Sequence, residues 1–183
     1  MLRHLPNLIS ALRALLAVPI AAAVLHDEHR WALGLAVVAG SSDALDGYLA
    51  KRHGWQSRLG AWLDPAADKL LLTTCFVTLA LVDAVPPWLV GLAIARDLVL
   101  VGGSVTYQSL IGALTPQPST LGRATTLLQI TAVLAVLLQR AGLALPERLL
   151  ATLFVLAGLA TIASGIDYVR VWVGRARSRR SAP

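Results

Sequence analysis

Four aspartates, Asp43, Asp46, Asp64 and Asp68, fall inside one short window of a chain that holds ten acidic residues in all. Asp43 and Asp46 are three residues apart, and Asp64 and Asp68 are four apart. On a helix, residues at those spacings project from one face, so each pair presents two carboxylates together. Small and apolar neighbours flank both pairs, and carboxylate oxygens in such surroundings suit a hard divalent cation such as Mg²⁺ or Mn²⁺. The chemistry within reach is displacement at phosphorus. A diphosphate leaving group needs its charge neutralised where the bond breaks, and ions held by carboxylates do that while fixing the reacting geometry. A carboxylate at the edge of the cluster can accept the proton of an attacking hydroxyl. A calcium loop of the EF-hand kind is excluded, because Asp43-Ala44-Leu45-Asp46-Gly47 lacks the alternating ligands it requires.

The elements that must position these aspartates are read from composition and hydropathy. The chain has 183 residues, of which 56% are hydrophobic and 14% charged, with a mean hydropathy of +0.68. Soluble domains average about 25% charged residues, so lipid is the expected solvent and the fold class is an all-α membrane protein. About six spans are expected, in one domain covering 1–183. The first runs from Met1 to Leu25, with Arg3 and Arg13 ahead of the apolar run Ala14 to Leu25, Pro6 at its start and Pro19 as a kink. The polar cluster His26 to Arg30 closes it as a solvated loop, which is preferred to metal ligation by His26 and His29. Trp31 to Leu49 is the second span and carries Asp43 and Asp46 near its far end, one or two turns inside the interface. After a basic loop with Lys51, Arg52, His53 and Arg58, the third span runs from Gly60 or Ala61 to Val82, with Asp64 and Asp68 at its entrance. Asp64-Pro65 could on its own be a helix-start pair, but that leaves Asp68 without an explanation.

Trp88 to Tyr107 is the fourth span, with Arg96 and Asp97 near its middle. Charges at that depth cost at least about 2.5 kcal/mol each on insertion scales, so they should face the protein interior. A linker from Ile111 to Ser119 leads to a fifth span, Leu121 to Leu138, and Leu149 to Val169 is the sixth. A basic tail runs from Arg170. Cys75 is a small buried hydrophobe, and one cysteine rules out a disulfide within the chain. Arg3, Lys51, Arg52, Arg58, Arg123, Arg175, Arg177, Arg179 and Arg180 fall on one side of such a topology, against Arg30, Arg140 and Arg148 on the other. The positive-inside rule then places both termini and the aspartate-bearing loop in the cytoplasm. The net charge of +6 is read as topology and attraction to anionic lipid, with no nucleic acid as partner.

The window from Asp43 to Asp68 resembles the signature of the CDP-alcohol phosphatidyltransferases, D-x2-D-G-x2-A-R-x8-G-x3-D-x3-D. It matches at Asp43, Asp46, Gly47, Ala50, Gly60, Asp64 and Asp68, and Lys51 stands where the family has Arg, with Arg52 directly after it. The segment Leu5 to Arg13 is similar to the N-terminal segment of the phosphatidylglycerophosphate and cardiolipin synthase branch, which argues against a secretory signal peptide. Arg96-Asp97 and the stretch Pro118 to Thr126, with Gln129 after it, resemble that branch too, with Arg123 in place of the customary Lys.

The resemblance implies that Asp43, Asp46, Asp64 and Asp68 hold Mg²⁺ or Mn²⁺ and that Asp68 is the catalytic base. Gly47, Ala50, Lys51 and Gly60 would receive the CMP half of CDP-diacylglycerol, and Arg96 and Arg123 would clamp a phosphate on the acceptor. The implied reaction is metal-dependent transfer of a phosphatidyl group from CDP-diacylglycerol to a phosphate-bearing alcohol. Glycerol 3-phosphate, giving phosphatidylglycerophosphate and CMP, is the first choice of acceptor, and phosphatidylglycerol, giving cardiolipin, is the alternative. The expected location is a bacterial inner membrane with the active site facing the cytoplasm, and family precedent suggests a homodimer. An intramembrane cation transporter also carries buried carboxylates, but it has no use for Gly47, Ala50 and Gly60 at those offsets.

Overall fold

The computed structural model describes the backbone of residues 5–53, 60–111 and 120–180, and the side chains of 10–42, 65–103, 120–171 and 174. Six helices follow one another in these segments, with no strand among the described residues: α1 Leu5–Leu25, α2 His29–His53, α3 Gly60–Leu81, α4 Pro87–Ile111, α5 Thr120–Arg140 and α6 Glu147–Arg180. The all-helical expectation therefore holds. Two of the helices, over Thr120–Arg140 and Glu147–Val171, are long and apolar enough to cross a membrane, and Ser10–Leu25 is a shorter apolar stretch. Leu15, Val18, Trp31, Leu98, Leu127 and Leu159 all lie exposed on helix surfaces. Apolar side chains in such numbers on the outside are what a lipid-facing surface requires.

α3 starts at Gly60 as expected, so Pro65 lies inside the helix, and Asp64 is not its capping residue. One helix limit changes: at the other end of the chain, the basic stretch after Val169 continues α6 to Arg180. Arg and Ala are good helix formers, and no proline interrupts them.

The chain divides into two compact units, Met1–Val85 with Val133–Leu145, and Pro86–Ala132 with Pro146–Pro183. In the first unit, α1 packs against both α2 and α3, and Ala17, Ile20, Val24, Ala32, Phe76 and Leu79 form its interior. Three helix ends in this unit close in the same way. Asp27 N–H donates to the Val24 carbonyl and Glu28 N–H to the Ala23 carbonyl. Asp83 N–H and Ala84 N–H repeat the pattern on Ala80 and Leu79, and Gly142 N–H and Leu143 N–H repeat it on Gln139 and Leu138. This is the Schellman closure, which needs a residue in the left-handed region after the helix. Gly142 adopts it at φ 107°, whereas Asp27 and Asp83 adopt it at φ 60° and 53°. Arginines tie the same ends together: Arg30 Nε donates to the Ala141 carbonyl (3.3 Å) and Arg140 Nη2 to the Val82 carbonyl (3.3 Å).

In the second unit α4 packs on α6, and a polar seam joins α6 to both α4 and the first half of α5. Thr125 Oγ1 lies 2.9 Å from the Leu121 carbonyl of its own helix and 3.0 Å from the Ala160 carbonyl of α6. Gln129 Nε2 donates to Thr161 Oγ1 (3.0 Å), which donates to the Ala157 carbonyl (2.6 Å). All of these side chains are buried. Gly158 lets α4 approach closely, since a Cβ there would stand 2.7 Å from the Trp88 ring. Small residues and hydroxyls at helix contacts are how helices associate where lipid removes the hydrophobic drive between them.

Candidate functional site

The four aspartates lie on two helices, Asp43 and Asp46 in α2 and Asp64 and Asp68 in α3. The side chains of Asp43, Asp46 and Asp64 lie outside the described residues, as do those of Ala50 and Lys51. Gly47 falls within α2, and Gly60 opens α3. Among the described residues no group of three or more His, Cys, Asp or Glu comes together, so Asp68 is the member of the cluster whose surroundings are defined. An all-carboxylate donor set fits a hard divalent ion.

Asp68 is held by a residue that sequence reasoning counted only as part of a basic start. Arg13 of α1 donates from Nη1 to Asp68 Oδ1. The arginine side chain is 1% exposed and the aspartate 46% exposed. A buried guanidinium is tolerated only when paired, and α1 meets that need by packing on α3. Each residue stands eight positions beyond the first residue of its helix, an advance of about 12 Å at about 1.5 Å per residue. The signal that could have identified Arg13 was available: it is a lone charge in an otherwise apolar helix, three residues after the buried Ser10. Grouping it with Arg3 concealed it.

Arg96 and Arg123, the expected acceptor clamp, sit in different surroundings and share no partner among the described residues. Arg96 is buried. Its Nη2 donates to Ser164 Oγ of α6 (3.1 Å), its Nη1 to Asp97 Oδ1 (3.2 Å), and its guanidinium carbon lies 5.8 Å from the centre of the Tyr168 ring. Its Nε finds no hydrogen-bond partner among the described residues. Arg123 is exposed in the first turn of α5. The α6 residues that receive Arg96 were missed in the sequence. Their signal is the run Thr161, Ser164, Tyr168, spaced three and four apart on one face of an apolar helix.

His26 and His29 do not act as a pair. His26 is exposed with Nδ1 2.8 Å from the Ala22 carbonyl, whereas His29 begins α2, is buried, and has Nε2 3.5 Å from Asp27 Oδ1. The solvated-loop expectation thus applies to His26, while His29 belongs to the helix.

With this geometry in place, comparison with known proteins decides the family. A family model for CDP-alcohol phosphatidyltransferase matches residues 3–173. The chain belongs to the CDP-alcohol phosphatidyltransferase family. The match takes in α1 with Arg13, the aspartate window, and most of α6, so Arg13 and the α6 seam lie inside the family domain. Among similar proteins is the chloroplastic CDP-diacylglycerol–glycerol-3-phosphate 3-phosphatidyltransferase 1 of Oryza sativa, 40% identical over 102 residues, covering 56% of this chain and 31% of that one. A probable CMP-forming cardiolipin synthase of Drosophila melanogaster is 32% identical over 186 residues, covering 90% and 56%. The human CMP-forming cardiolipin synthase is 35% identical over 122 residues, covering 65% and 39%. The chain thus matches between 31% and 56% of the length of these three relatives.

Proposed function

We propose that this CDP-alcohol phosphatidyltransferase moves a phosphatidyl group from CDP-diacylglycerol to the hydroxyl of glycerol 3-phosphate, releasing CMP and forming phosphatidylglycerophosphate. The observation that carries this reading is the ordered aspartate motif lying inside a family match that spans residues 3–173. The 40% identity to the rice phosphatidylglycerophosphate-forming enzyme supports the choice of acceptor. Asp43, Asp46, Asp64 and Asp68 are the residues that would hold Mg²⁺ or Mn²⁺. When bound, the ion supplies positive charge to the diphosphate as CMP departs.

The chain's own residues do the rest. Gly47, Ala50 and Gly60 are small enough for the CMP half to lie against backbone, and Lys51 supplies a cation at its phosphates, without the bidentate geometry of an arginine. Asp68, half-exposed and fixed by Arg13, accepts the proton of the acceptor hydroxyl. Arg123, exposed at the start of α5, meets the acceptor phosphate, and Arg96 adds charge from within α4.

Cardiolipin synthesis with phosphatidylglycerol as acceptor is the second reading. It is favoured by the Drosophila relative, whose similarity extends over 90% of the chain. Six spans with both termini in the cytoplasm of a bacterial inner membrane complete the proposal, supported by the distribution of arginines along the sequence.

The test is purified protein in lipid, given labelled CDP-diacylglycerol and a panel of acceptors. Phosphatidylglycerophosphate formed only with glycerol 3-phosphate supports the first reading, and cardiolipin formed with phosphatidylglycerol supports the second. If no acceptor elicits CMP release, both are wrong.

A further inference from the structure

We infer that Arg13 is a positioning residue for Asp68, setting the orientation of the carboxylate that receives the acceptor proton. The inference rests on the proposed phosphatidyl transfer and adds to it a residue from outside the aspartate motif. Three observations carry it. Arg13 is 1% exposed while its partner's side chain is 46% exposed, so the pair is anchored on the α1 side and open on the α3 side. Arg13 donates from Nη1 to Oδ1 of Asp68, and both residues make further interactions. Fixing one oxygen of a carboxylate restricts rotation about the Cβ–Cγ bond, and thereby sets the direction of the second oxygen. Finally, the two residues come from helices 55 positions apart in sequence that pack directly on each other. The orientation is therefore imposed by the core of the first unit and not by a loop.

The alternative is that Arg13 merely joins α1 to α3. The two roles differ in what they do to the reaction. A proton acceptor must lie within hydrogen-bond reach of the hydroxyl it serves, and small displacements of a reacting group are costly. A misdirected Asp68 should therefore lower turnover while leaving the bound nucleotide undisturbed. A lost helix contact should weaken everything together. Arg13→Lys keeps a cation but loses the planar fork, so it should recover only part of the activity lost in Arg13→Gln.

The experiment is a double-mutant cycle on the full chain in lipid, with Arg13→Gln, Asp68→Asn and the pair, read by release of labelled CMP. Binding of CDP in the presence of Mg²⁺ is followed by calorimetry, and Arg13→Lys is measured alongside. Expected results are a kcat at least about ten-fold lower for Arg13→Gln in the wild-type background and less than about three-fold lower in the Asp68→Asn background, since residues acting as one unit are non-additive. CDP affinity should stay within about three-fold of wild type, and Arg13→Lys should fall between wild type and Arg13→Gln. Equal losses in both backgrounds overturn the inference, as does a parallel loss of CDP binding. If Arg13→Gln does not fold, Arg13→Lys takes its place in the cycle under the same criteria. A wild-type protein that releases no CMP but binds CDP would instead strike the proposed transfer, so the two failures are distinguishable.

Discussion

Replacing Arg123 and Arg96 separately should divide the acceptor site into a binding part and a structural part. Arg123 is exposed in the first turn of α5, so Arg123→Ala should change thermal stability little, as surface substitutions do. A charge-assisted hydrogen bond is worth about 1.5 to 3 kcal/mol, and exposure moves the value to the lower end. At about 1.4 kcal/mol per decade, the KM for glycerol 3-phosphate should rise about ten-fold, with the KM for CDP-diacylglycerol within about two-fold. Arg96 is 8% exposed and engages Ser164, Asp97 and the face of Tyr168. Breaking a buried ion pair by removing one partner costs about 3 to 5 kcal/mol. Asp97 has a further interaction, so the loss on Arg96→Met should lie below that range, yet still appear as a clear fall in Tm. The assay is initial-rate kinetics with each substrate varied in turn, paired with thermal unfolding in detergent. An Arg123→Ala variant that weakens both substrates equally, or an Arg96→Met variant as stable as wild type, would refute the division.

Other expectations follow from the same contacts. Exhaustive chelation should abolish CMP release, and added Mg²⁺ or Mn²⁺ should restore it; full turnover without metal would contradict the role of the aspartates. Asp68→Asn should lower transfer about 10²- to 10⁴-fold, leaving a measurable residual rate while CDP still binds, because the amide fills the position but cannot take the proton. Thr161→Val removes the hydroxyl that receives Gln129 and should destabilise the protein by about 1 kcal/mol, within the range found for hydrogen bonds between membrane helices, whereas Thr161→Ser should be close to neutral. Asp83→Gly relieves a left-handed residue at φ 53° at a cost otherwise of about 1 kcal/mol, and should raise Tm by roughly 2–4 °C. An unchanged or lowered Tm would place a compensating contact at that turn.

Much of this architecture was legible in the sequence because long apolar runs bounded by polar clusters must satisfy their backbone groups internally, and a helix is the simplest way to do so. Hydropathy therefore located all six helices to within a few residues at most ends. It erred where hydropathy carries no information. The polar stretch after Val169 continues α6 as a helix to Arg180 because helix propensity and not polarity decides there. His29 starts α2 and is buried. The aspartate motif was legible for a different reason, since charge in an apolar chain stands out and its spacing is rigid. Arg13 was legible only as a lone charge in an apolar helix, and its role was not, because its partner lies 55 positions away and no local pattern announces a contact between helices.

The two arginines buried among the described residues, Arg13 and Arg96, show how similar residues in similar surroundings come to differ in use. Both are nearly inaccessible, and both donate to an aspartate, Arg13 to Asp68 and Arg96 to Asp97. Arg96 binds the residue beside it on its own helix, and the carboxylate it holds is only 17% exposed. Its remaining Nη group joins α4 to α6 through Ser164. Such a pair keeps its charges inside, so whatever charge Arg96 lends the acceptor site, its loss acts first on helix packing. Arg13 instead reaches to another helix, and the carboxylate it holds is 46% exposed. A cation buried for packing alone gains less from a partner that solvent or substrate can reach, because exposure screens the attraction that offsets its burial. That asymmetry supports the proposed catalytic role of Asp68 and a scaffold role for Asp97. It also explains why substitution of Arg13 should be read first in turnover, and substitution of Arg96 first in stability.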